Sequence, residues 1–127
     1  MKPPFVAGCA VLCLFFVAAV SAQDPVKVDP KHYKVEMEND QVRILRVHYG
    51  AGEKSVMHSH PNTVAVFLSD GKVKFTYADG KTQDASGKAG QAMYAPATVH
   101  NPENVGDASM DILVIELKGA AASTAKK

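Results

Sequence analysis

The residues of this 127-residue chain best suited to chemistry are its five histidines, because an imidazole near neutrality can hold a transition metal or move a proton. Two of them stand two apart, in His58-Ser59-His60. On a strand, residues i and i+2 project from one face, so this pair can hold an ion between them. Val56 shares their parity, which assigns that face to the interior. His100 follows the Pro96-Ala97-Thr98 bend and completes a three-histidine set if the strands close into a barrel. Read alone, His-x-His is also the pattern of two exposed side chains at a strand end. His48 is opposite in parity to Leu45, Val47 and Tyr49, and His32 to Tyr33, Val35 and Met37. Both are expected on the surface.

The elements that must position these histidines read as strands. Turn chemistry recurs at Asn39-Asp40, Gly50-Ala51-Gly52, Asp70-Gly71, Asp79-Gly80, Gly87-Lys88-Ala89-Gly90 and Val105-Gly106-Asp107. In Lys72-Val73-Lys74-Phe75-Thr76-Tyr77 the alternation puts Val73, Phe75 and Tyr77 on one face, with Asp70-Gly71 expected as the hairpin turn before it. Residues 110–117 form a longer, more apolar strand, and no helical stripe follows residue 22. Short strands at close spacing predict an all-β sandwich or barrel.

Residues 5–20 are apolar, follow Lys2, and precede small residues up to Ala22. This is the make-up of a secretory signal peptide cut after Ala22. Val6-Ala7-Gly8-Cys9 resembles a lipoprotein cut, but the apolar run continues past Cys9, so free export is the expectation. No twin-arginine pair is present, which predicts export of an unfolded chain to the periplasm or the exterior, with no stable membrane anchor after cleavage. Both cysteines, Cys9 and Cys13, fall in this leader, so disulfides and thiol catalysis are not expected. Loss of Lys2 would leave 13 basic side chains against the 13 acidic ones. A balanced charge without a basic cluster excludes nucleic acid as a partner. Residues 23–118 are expected as one domain and 119–127 as a mobile tail.

The glycines and prolines around the histidines carry a resemblance. Gly52, five residues, His58-Ser59-His60 and then Gly71 resemble the first motif of the cupin superfamily. Gly90, five residues, Pro96, His100, three residues and Asn104 resemble its second. The sequence looks most like the small, RmlC-like single-domain cupins labelled beta-alanine degradation proteins. The resemblance implies a double-stranded β-helix, or jelly-roll barrel, in which His58, His60 and His100 converge on one divalent transition metal, with Zn, Cu, Fe, Ni and Mn all candidates. The glutamate that usually adds a fourth ligand falls at Val64, and the glycine after the second-motif proline is Thr98. Three neutral imidazoles without that glutamate leave a dication uncompensated and up to three positions open. An ion acquired outside the cytoplasm is expected to follow the affinity order towards copper or zinc.

Val64, Phe75, Tyr77 and Tyr94 are the candidates for the ligand pocket. Met57 is expected to pack, and Asn104 to fix the turn over residues 102–107. None of Asp70, Asp79, Asp84 or Glu103 can be placed inside as a general base, and catalytic residues are not assigned. The first functional expectation is an exported cupin that binds a metal and a small organic molecule, with dioxygenase-type oxidoreductase chemistry foremost. Isomerase or lyase chemistry on a chelating acid is second. The alternatives are a binding or sensing module without turnover, and a structural module with a filled barrel. Homodimerisation through an exposed sheet or a swapped N-terminal strand is common in the family the sequence resembles.

Overall fold

A computed structural model describes residues 23–119. The expected signal peptide, residues 1–22, and the expected tail beyond Gly119 lie outside the described residues. The elements are α1 (Pro25–Val28), β1 (Tyr33–Glu38), β2 (Val42–Tyr49), β3 (His58–His60), β4 (Thr63–Phe67), β5 (Gly71–Tyr77), β6 (Thr82–Gly87), β7 (Ala92–Ala95), β8 (Thr98–Asn104) and β9 (Met110–Leu117). The strands form two antiparallel sheets, β1-β2-β9-β4-β7 and β3-β8-β5-β6.

The pairing is nested. β5 pairs with β6, β4 with β7, β3 with β8 and β2 with β9, so the chain is one long hairpin wound into a barrel. Its closing turn is at Asp79-Gly80, where Gly80 adopts φ 83° and Tyr77 N donates to Lys81 O (2.9 Å). This left-handed backbone is cheap only for glycine. Such winding is the jelly-roll form of an all-β fold.

Period-two alternation fills the interior. On β2 and β9 the inward residues meet directly, Leu45 opposite Val114, Val47 opposite Ile112 and Tyr49 opposite Met110. With Tyr33, Phe67 and Val73 they form the core, and such cross-strand pairs are the unit of sheet stability.

Four local expectations change. Asp70-Gly71 is not a hairpin turn: β4 and β5 lie in different sheets, and the segment carries the chain between them. Asp70 instead accepts from the Ala89 amide (2.9 Å) and Lys88 Nζ (3.1 Å), holding the β6–β7 turn. His32 is buried rather than on the surface, because β1 starts only at Tyr33 and strand parity does not extend before it. Val35 and Met37 are exposed, since β1 is an edge strand whose register slips between them. Finally, one helical turn, α1, precedes the strands; Asp24 caps it by accepting from Val26 N (3.0 Å), and it is too short to show a stripe. No helix among the described residues is long and apolar enough to cross a membrane.

Where the two sheets meet, Gly87 lies against the Phe67 ring. A Cβ at Gly87 would come closer than 3.0 Å to three ring atoms, and a ring held in a core cannot swing aside as a flexible chain end can. Gly87→Ala is therefore expected to destabilise the fold by about 1–3 kcal/mol, measured as a lower urea midpoint with unchanged slope.

Candidate metal centre

His58 and His60 share a face of β3, and β3 pairs with β8 so that His58 lies directly opposite His100. A spacing of two brings the first pair together, and the β3–β8 ladder adds the third histidine. The ring centroids are 4.8 Å (His58–His60), 5.0 Å (His58–His100) and 5.3 Å (His60–His100) apart. Each ring offers one nitrogen, all within 4.8 Å of one another, close enough for three histidines to bind one ion. Val56, expected inside on parity, is exposed; the chain enters β3 only at His58, and Val56 contributes its carbonyl instead.

The groups behind the rings fix which nitrogen faces inward. His58 Nδ1 donates to the Val56 carbonyl (2.8 Å), with Ser55 Oγ 3.3 Å away. His60 Nδ1 donates to Glu116 Oε1 (2.8 Å). A neutral imidazole carries one N–H, so each of these rings presents a bare Nε2 lone pair. The two Nε2 atoms face each other at 3.0 Å. The buried Nε2 of His100 has no hydrogen-bond partner. A cation between these two lone pairs and the unpartnered His100 nitrogen is the chemistry this donor set fits.

Both supports reach back to the N-terminal segment. Glu116 Oε2 accepts from Arg43 Nε (2.6 Å), and Arg43 Nη1 and Nη2 donate to Asp24 (2.9 and 3.1 Å). Ser55 Oγ donates to Asp29 Oδ2 (2.5 Å), and Asp29 faces His32 Nδ1 (2.7 and 2.9 Å), whose Nε2 meets Glu53 (2.7 Å). Asp24, Asp29, His32, Arg43 and Glu116 were not assigned from the sequence. Glu116 had a readable signal, since it shares the inward parity of Met110, Ile112 and Val114 in an otherwise apolar strand.

Burial governs the electrostatics. It pushes His58 down to about 4, and the adjacent His60 adds to the shift. Burial likewise takes His100 to about 3, helped by His60 and His58. Burial alone would raise the Glu116 carboxyl, but the hydrogen bonds from His60 and Arg43 outweigh it and hold it below the usual carboxylate range.

A cavity of about 370 Å³ adjoins the centre. His60 and His100 line it, whereas His58 is not among the lining residues. Of the pocket candidates, Phe75 lines it and stacks on His100 (5.0 Å, 15°), Tyr77 lines it with its hydroxyl donating to Gln83 (2.9 Å), and Tyr94 lines it at an exposed rim. Val64 does not line it. Its neighbours Thr63 and Ala65 do, because Val64 has the opposite strand parity. Asp70, Asp79, Asp84 and Glu103 are all absent from the lining. Asn104 is buried and structural: its amide donates to Gly50 O (3.1 Å) and Ala108 O (2.9 Å), and its Oδ1 accepts from Gly106 N (3.0 Å).

These contacts have two measurable consequences. Glu116→Gln is expected to weaken metal affinity roughly 10–100-fold, read by competition with a chromogenic chelator. In the metal-free protein the unfolded chain takes up protons near pH 6.5, while folded His58 and His100 do not until about 4 and 3. Stability is therefore full above pH 6.5 and falls as pH drops towards 4. Urea titrations from pH 7 to 4.5 should show this slope, and His100→Gln should flatten it.

The family described as Cupin domain matches residues 45–116. No curated protein matches the chain. Among solved structures, a cupin domain from Bordetella pertussis Tohama I is 22% identical, covering 68% of this chain and 92% of its own, with TM-score 0.63. An RmlC-like cupin family protein with a double-stranded β-helix fold from Methanocaldococcus jannaschii is 20% identical, covering 70% and 83%, with TM-score 0.53. A protein with a double-stranded β-helix domain from Klebsiella pneumoniae is 23% identical, covering 66% and 74%, with TM-score 0.52. At these identities the likeness is one of fold. The family match runs from Leu45 in β2 to Glu116 in β9 and includes all three clustered histidines, and the chain belongs to the cupin family.

Proposed function

We propose that the barrel holds one divalent transition metal at His58, His60 and His100 and presents it to a small organic molecule in the adjoining cavity, as an oxidoreductase of the dioxygenase type. The observation that carries this reading is the pair of bare Nε2 atoms at 3.0 Å beside the unpartnered Nε2 of His100. When bound, such an ion supplies Lewis acidity and open positions for oxygen donors. The protein's own residues do the rest. Val56 and Glu116 hold the tautomers, Phe75 fixes the His100 ring by stacking, and the apolar wall excludes bulk water.

The wall also ranks the chemistries. Among the described residues no carboxylate or lysine lines the cavity, so an isomerase or lyase would have only tyrosine hydroxyls there, beside the clustered histidines, to carry a proton. The same observation favours, as second reading, a barrel that binds or senses its ligand without turnover. The narrower likeness to the cupins labelled beta-alanine degradation proteins rests on the motif spacings around His58 and His100. Export to the periplasm or exterior, after removal of residues 1–22, rests on the apolar stretch behind Lys2, and loading outside the cytoplasm favours copper or zinc. The domain then covers residues 23–118. Homodimerisation is supported by Val35 and Met37, exposed on the open edge of β1.

The test is metal analysis of protein from its native compartment, together with oxygen uptake on a panel of thiols, diketones and flavonols. One equivalent of metal is expected in the wild type and little in His58→Ala, with uptake that vanishes on chelation. Metal without uptake on any substrate favours the binding module. A metal-free wild type with no ligand-induced thermal shift overturns both readings.

A further inference from the structure

The wall of the cavity is unusual in what it can compensate. Among its lining residues there is no Asp, Glu, Lys or Arg, and the Glu116 carboxylate is engaged behind His60. The surface offered to a ligand is largely apolar, its uncharged polar groups being Thr63, Thr98, Gln83 and four tyrosine hydroxyls, of which those of Tyr33 and Tyr49 bond each other and that of Tyr77 bonds Gln83. A carboxylate or ammonium buried there away from the histidines would therefore find no oppositely charged partner, which costs several kcal/mol. A polyol would likewise leave most of its hydroxyls without hydrogen bonds. At about 370 Å³ the space holds about a dozen water-sized groups. Rings such as Phe75 and thioethers such as Met93 suit an aromatic body.

The geometry points to a neutral or singly anionic ligand that has one oxygen-donor head at the histidine cluster and an apolar, aromatic body against the wall. This rests on the metal reading for the head, and on the wall alone for the body. Amino acids, sugar phosphates and acids with a second, distant carboxylate are excluded by the same reasoning. Rejection comes from the missing partner and not from size.

Two probes with one chelating head and one ring separate the charge from everything else. Salicylate carries a single anionic head, and 4-hydroxyisophthalate adds a carboxylate on the far side of the same ring. Isothermal titration calorimetry on zinc-loaded full-length protein is expected to show salicylate binding at least tenfold more tightly. Equal affinities, or a preference for the dicarboxylate, in protein that holds zinc overturn the ligand class and leave the metal reading intact. Failure to take up zinc overturns the metal reading alone. The wall is then tested with 4-methylphenol against 4-hydroxybenzoate, where the uncharged compound is again expected to bind at least tenfold more tightly and parity overturns the inference.

Discussion

The barrel depends on one register. In the β5–β6, β4–β7 and β3–β8 ladders every pair of opposed residues lies equally far on either side of Asp79. His58 and His100 obey the same relation, so the turn at Asp79-Gly80 and the unbroken count of residues out from it put the third histidine opposite the first. A one-residue change in one arm would send every side chain beyond it to the other face. The β2–β9 ladder, one step out of this relation, closes the barrel and brings Glu116 behind His60.

That register creates an electrostatic problem which the surrounding structure answers. Burial makes His58 and His100 resist protonation, and the lone pairs of the cluster need a fixed direction. The direction comes from acceptors on the outer side of the rings, a backbone carbonyl for His58 and a carboxylate for His60. Glu116 is in turn held by Arg43 and Asp24, and Ser55 by Asp29. Asp24, Asp29 and Arg43 precede the stretch that matches the family, residues 45–116. The candidate ligands thus belong to the shared fold, while their support is completed by the segment this chain lays over them.

The cavity follows the same division of labour. Alternation that builds the core also lines the space beside the centre, so its wall inherits the apolar character of the inward parity. Polar chemistry is confined to the point where β3 and β8 meet. Val64, to which the motif spacing assigned the missing glutamate, does not line the cavity, and its neighbours that do, Thr63 and Ala65, carry no charge.

Much of this was legible in the residues. Alternation in residues 41–49 marked one central strand and its inward face, because a period of two is a local property of the extended chain, and the apolar run of residues 110–117 marked its neighbour. The spacing of His58 and His60 marked two of the three clustered histidines for the same reason. Where strand parity was extended beyond the strand itself, as at His32 and Val56, it failed, and at the edge strand the bulge between Val35 and Met37 undid it. The Asp70-Gly71 dipeptide signals a turn but not which strand follows it, since partner choice is a long-range matter of how two sheets bury their faces. The sequence by itself thus determined where the central strands run and which histidines are the candidate ligands. Only the tertiary structure decided that Glu116, Arg43, Asp24 and Asp29 stand behind those ligands, because hydrogen bonds between residues as far apart as Arg43 and Glu116 exist only once the hairpin has wound and closed.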